Sequence, residues 1–152
     1  MKVIVSLLII VFAANESFTQ TALRTKHFNV EKGVAIQGYD PVAYFTQTKA
    51  LKGSAQYQFN HEGVIYRFAN QTNLVLFKQN PQKYEPQYGG WCAYAMGTSG
   101  EKVEIDPETF KVANGRLYLF YHSWVNNTLI KWNENEGRLL PQADKNWKDT
   151  FK

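Results

Sequence analysis

The chain has 152 residues, 44% of them apolar and 20% charged, a balance that excludes a disordered polymer and suits one globular domain. Its net charge is +4, but the lysines and arginines are scattered rather than clustered, which argues against nucleic acid as a partner. Aromatic residues make up 15% of the chain, enough to fill the core of a small domain.

The N-terminus begins with Met1 and Lys2 and runs into an apolar stretch from Val3 to Ala14, interrupted only by Ser6. A run of about twelve residues is too short for a membrane-spanning helix, which needs about 20. It matches the apolar region of a secretory signal, with cleavage expected near Thr19 to Ala22. Residues 1–20 are therefore read as a signal peptide and 21–32 as a linker. A domain is expected over 33–152. This implies a periplasmic or secreted protein with no stable membrane insertion after cleavage.

Gly38, Tyr39, Asp40 and Pro41 signal a turn, in which Asp40 bonds the local backbone. Val42 to Phe45 follows as a short apolar segment. Polar and aromatic residues alternate over 56–59, the period of a half-buried strand. A turn at His61, Glu62 and Gly63 leads into a second strand, so 56–68 is predicted to be a β-hairpin. Asn70 caps a helix with Leu74 and Phe77 facing inward, ended by Asn80 and Pro81. Trp91 to Met96 is predicted to be a short helix stopped by Gly97. Arg116 to Tyr121 reads as a strand. Ser123 is expected to cap a helix whose apolar stripe is Val125, Thr128, Leu129 and Trp132. Pro141 is expected in the first turn of a last helix, with Ala143, Trp147 and Phe151 on one face. The fold class is α+β: a single small domain with a short antiparallel sheet packed by three to four helices.

The chain contains one cysteine, Cys92, so no disulfide forms within it. Cys92 lies in the segment Tyr88-Gly89-Gly90-Trp91-Cys92-Ala93, where the glycines permit left-handed backbone or a close approach. A helix starting just after them places Cys92 in its first turn, where free N–H groups favour a thiolate. Met96, four residues on, shares its face if the segment is helical. A thiolate with a thioether is a soft pair suited to Cu(I). His27, His61 and His122 are available imidazoles, but none stands at metal-ligand spacing from another. The segment also reads as a buried structural cysteine among aromatics. No hydrolase nucleophile motif, phosphate-binding loop or dinucleotide fingerprint occurs.

Several of these residues resemble a known family. Gly38-Tyr39-Asp40-Pro41-Val42-Ala43-Tyr44-Phe45 is similar to the opening of the stand-alone, exported YHS-domain proteins of bacteria. Tyr66-Arg67-Phe68, Phe77, Asn80-Pro81 and Tyr84 continue the likeness. So do Tyr88 to Ala93, Gly115 to Leu119, Trp132, and Ala143-Asp144 with Trp147. The resemblance covers roughly residues 33–148 and implies a YHS-like fold. Wider YHS and related metal-binding domains carry cysteines after Asp-Pro-Val and after the Tyr-x-Phe strand. Here those places hold Ala43, Ala69 and Asn73, so a metal site is not inherited from the superfamily. Some stand-alone relatives are described as selenoproteins. If selenocysteine takes the place of Cys92 in them, the position is chemical.

Three functions follow as alternatives. The first is a soft-metal site for copper or zinc, built on Cys92 with Met96, His61 or His122. The second is a redox-active thiol, with Cys92 as the reacting group and a resolving thiol from another molecule. The third is a non-catalytic module, more in keeping with the sequence than an enzyme. Its aromatics Tyr88, Trp91 and Tyr94 line a pocket for a small ligand or an exported protein partner.

Overall fold

A computed structural model describes residues 19–152. The apolar leader over 1–18 and most of the signal-peptide reading lie outside the described residues. Over the stretch expected as a linker, 21–32, the chain carries regular structure: residues 19–27 are helical (α1) and β1 follows at Val30–Glu31. Arg24 fastens α1 to the body through an ion pair with Glu85, whose Oε1 also accepts a hydrogen bond from the Tyr66 hydroxyl at 2.7 Å.

The domain is α+β, with several short sheets and six helices among the described residues, more helices than the sequence suggested. The main sheet has the order β1, β2, β4, β3, with β2 at Val34–Ala35, β3 at Ser54–His61 and β4 at Val64–Phe68. Pairs β1–β2 and β3–β4 are antiparallel, and β2–β4 is parallel. The predicted hairpin is present, with His61 opposite Val64. Glu62 and Gly63 turn it with φ of 49° and 86°, the paired left-handed residues of a tight two-residue turn.

Helix α2 spans Ala43–Thr46. Helix α3 spans Gln71–Gln79, and the Asn70 side chain caps it by accepting from the Asn73 N–H at 2.9 Å. Asn80 ends α3 and caps α4 (Pro81–Tyr84). Helix α5 spans Ala93–Thr98, with Gly97 inside it rather than as its stop. A Cβ at Gly97 would stand 2.8 Å from the Leu139 carbonyl oxygen, so glycine is needed for close packing against the last helix.

Strands β5 (Asp106–Ala113) and β6 (Arg116–Phe120) form a second hairpin. All of Leu117 to Phe120 is buried, because β6 runs between two cores. Leu117 and Leu119 join Tyr44, Tyr66, Phe68 and Phe77 on one side. Tyr118 and Phe120 join Trp132, Leu139 and Met96 on the other. Fully burying each such side chain contributes about 1.5–3 kcal/mol.

Ser123 does not cap a helix. It lies in β7 (His122–Ser123), paired with β8 (Asn126–Asn127). Asn127 caps α6 instead, accepting from the Leu129 N–H at 3.0 Å. Val125 is therefore not in a core stripe; it is 95% exposed at the β7–β8 tip beside Trp124. The last two predicted helices are one, α6 (Thr128–Asp149), with a break in helical geometry at Asn135 and Pro141 in its interior. Ala143 and Trp147 join the second core as expected, and Phe151 packs edge-on against Trp147 at 4.9 Å.

Three buried tyrosines give the fold an alkaline limit. Burial raises the Tyr44, Tyr66 and Tyr88 hydroxyls above their usual range, with nearby carboxylates adding to the effect at each. In the unfolded chain these groups ionise near about pH 10. Stability from keeping them neutral is full below that pH and is lost as pH rises from there toward their raised folded values. Urea midpoints should fall steeply above about pH 10; a midpoint unchanged well beyond it would contradict this burial.

Candidate functional site

The backbone ahead of Cys92 turns through three successive left-handed residues, Tyr88 (φ 57°), Gly89 (58°) and Gly90 (86°). At Gly89 a Cβ would also stand 2.8 Å from Trp147 and 2.9 Å from Phe28. The two glycines thus serve the chain reversal and the packing over it. Cys92 then emerges extended, pairs in parallel with Leu119, and its N–H donates to the Val103 carbonyl at 3.0 Å.

The Cys92 thiol has no exposed surface. The Tyr121 N–H donates to its sulfur at 3.3 Å. The Thr128 hydroxyl donates its one proton to the Tyr121 carbonyl at 2.7 Å, so at 3.5 Å from the sulfur its oxygen accepts from the thiol S–H. The sulfur thereby ties together the end of β6, the start of α6 and the entry to α5. Cys92 is the N-cap residue of α5 but makes no side-chain capping bond. With six residues, α5 offers only a small dipole.

Met96 is fully buried, but in the second core, whereas Cys92 belongs to the first. Cys92 has non-helical dihedrals (φ −58°, ψ 116°), so the four-residue spacing does not place the two sulfurs on one helix face. His61 ends β3, stacked on Phe59 at 6.3 Å and edge-on to Phe77 at 6.1 Å. His122 is exposed, with Nδ1 3.1 Å from Thr109 Oγ1 and 3.4 Å from Asp106 Oδ2. The Thr109 hydroxyl donates to that same Asp106 oxygen at 2.8 Å. Hydroxyl and carboxylate therefore share one ring nitrogen, whereas a nucleophile–base–orienter triad needs them on opposite ones. Among the described residues no three His, Cys, Asp or Glu side chains converge as a metal site.

The aromatics expected to line a pocket, Tyr88, Trp91 and Tyr94, pack in or against the cores. Tyr88 is buried and its hydroxyl donates to Asp144 at 2.9 Å. Trp91 donates from Nε1 to the His27 carbonyl at 2.7 Å. Tyr94 is half-buried against both cores.

Two other groups carry more chemistry than their sequence context suggested. Asp40 is fully buried and accepts four hydrogen bonds. Oδ1 takes the N–H groups of Val42 (2.8 Å) and Ala43 (3.3 Å); Oδ2 takes the Ala69 N–H (2.8 Å) and the Asn73 side-chain amide (2.6 Å). The second group is Arg67, beside a cleft of about 200 Å³ lined also by Glu31, Lys32, Val34, Gln37 and Gly38. An adjoining cleft of about 240 Å³ shares Glu31 and Gln37 and includes Asn29 and Glu104. A third, of about 230 Å³, lies among Arg24, Phe28, Trp147 and Phe151. Cys92 lines none of the three.

Comparison with family models, curated proteins and solved structures finds no match to the chain. Among the described residues, no helix is long and apolar enough to cross a membrane.

Proposed function

We propose that the protein is an exported, non-catalytic binding module with a YHS-like fold, in which Cys92 is a structural thiol. The observation that carries this reading is the environment of the sulfur. It is fully buried, accepts a backbone N–H and donates to Thr128, as a packed, satisfied cysteine does. A nucleophilic or metal-binding thiol acts as the thiolate and needs access to its partner. The YHS-like assignment draws support from the convergence of Ala43, Ala69 and Asn73 on Asp40. In this reading the three positions that carry cysteines in metal-binding YHS-like domains surround a hydrogen-bonded carboxylate instead. The apolar leader supports export to the periplasm or the medium. The binding surfaces are then the clefts and the exposed Trp124–Val125 tip rather than the sulfur.

A Cu(I) titration of the reduced protein against a competing chelator tests this, with Cys92→Ala alongside. Wild type and variant should compete for copper equally weakly. Tight binding at one equivalent by wild type, lost in a variant that keeps its native circular dichroism, would overturn the structural reading and establish a metal site.

A further inference from the structure

We infer that the cleft beside Arg67 binds a small oxyanion, a carboxylate or phosphate group. The inference rests on the binding-module reading and names the chemistry of its ligand. Arg67 lies on the polar side of β4, between the fully buried Tyr66 and Phe68, and is itself partly buried. Its Nε is buried without a hydrogen-bond partner. Among the described residues no side chain or carbonyl accepts from its guanidinium, and no carboxylate pairs with it. Partly buried guanidinium groups ordinarily have their donors taken up, because leaving them unsatisfied is unfavourable. Five N–H donors in a planar fork match two oxygens of a carboxylate or phosphate.

Arg67 lies against the turn that forms one wall of the cleft. A Cβ at Gly38 would stand 3.7 Å from Arg67 Cδ and 3.8 Å from Nη1, so the side chain lies across the glycine. Gln37 and Gly38 shape the wall with φ of 50° and 81°. The Gln37 amide anchors this turn by donating to the Ile105 carbonyl at 2.9 Å, and Lys52 Nζ donates to the Gln37 carbonyl at 3.2 Å. Lys32 lines the same cleft and, with Arg67, outweighs the single carboxylate of Glu31. A volume of about 200 Å³ suits a compact anion rather than a drug-sized ligand, whose pockets start near about 300 Å³.

The test is a titration of the folded chain with sodium phosphate and, separately, sodium acetate, against sodium chloride at matched ionic strength. Amide resonances of Gln37, Gly38 and Arg67 are followed. Saturable shifts with phosphate or acetate but not chloride are expected, and the anion that saturates first identifies the class. Arg67→Gln should weaken that affinity at least about tenfold, or about 1.4 kcal/mol. Arg67→Lys, which keeps the charge without the fork, should fall between. Shifts that never saturate, that chloride reproduces, or that persist in folded Arg67→Gln would overturn the site. If Arg67→Gln does not fold, Lys32→Gln at an exposed position decides: several-fold weaker binding supports the site, and unchanged binding overturns it. Failure here leaves the copper result at Cys92 untouched, so the two claims fall separately.

Discussion

Asp40→Ala is expected to lower folding stability by about 3–5 kcal/mol, because several buried donors lose their acceptor at about 1–3 kcal/mol each. Asp40 has no exposed surface, and its two oxygens accept from three backbone N–H groups and one side-chain amide. Alanine leaves all four donors without their acceptor, those of Val42, Ala43 and Asn73 at buried positions. The damage is spread over three elements. Val42 and Ala43 begin α2, Ala69 joins β4 to α3, and Asn73 lies in the first turn of α3. Asp40→Asn keeps the shape but turns one acceptor into a donor facing donors, and should cost less, about 2 kcal/mol. Urea unfolding followed by tryptophan fluorescence measures both. A loss below about 1 kcal/mol for Asp40→Ala would mean the network stabilises little beyond what ordinary surface changes do.

The local parts of this fold were readable from sequence because local rules control them. Alternation over 56–59 and the turn at Glu62 and Gly63 specify a hairpin, and Asn70 caps α3 as its side chain predicts. The failures have physical causes. Ser123 has a capping side chain, but Asn127 sits closer to the helical run, and the intervening residues fold back as β7 and β8. Val125, which helical spacing reads as core, then stands beside Trp124 at an exposed tip. The shared helix face expected for Cys92 and Met96 also fails, because Cys92 has non-helical dihedrals and the two side chains enter different cores.

The roles of Asp40 and Arg67 were hidden for a different reason. Two of the Asp40 donors, Ala69 and Asn73, lie 29 and 33 residues away, so no local pattern reports them. Asp-Pro alone signals a turn, which is only half of what that carboxylate does. Arg67 occupies the polar step of an alternating strand, where an arginine ordinarily points into solvent. Only the fold shows that it lies across Gly38 beside a cleft.

The second large effect concerns Cys92 itself. A sulfur with no exposed surface reacts only after the structure around it opens. Opening here means parting Cys92 from Leu119 and Val103, and releasing Tyr121 and Thr128 from the sulfur. These contacts join the entry to α5, the end of β6 and the start of α6, so their loss approaches global unfolding rather than local fraying. At ordinary domain stabilities of about 5–15 kcal/mol, such opening is populated less than about once in a thousand molecules.

The rate at which iodoacetamide alkylates Cys92 in the native protein, compared with the same protein in urea, tests the central claim most directly. A structural thiol should react at least about a thousandfold more slowly when folded, in step with the unfolding equilibrium as urea is raised. A native rate within about tenfold of the unfolded one would contradict it, and would make Cys92 an accessible chemical group.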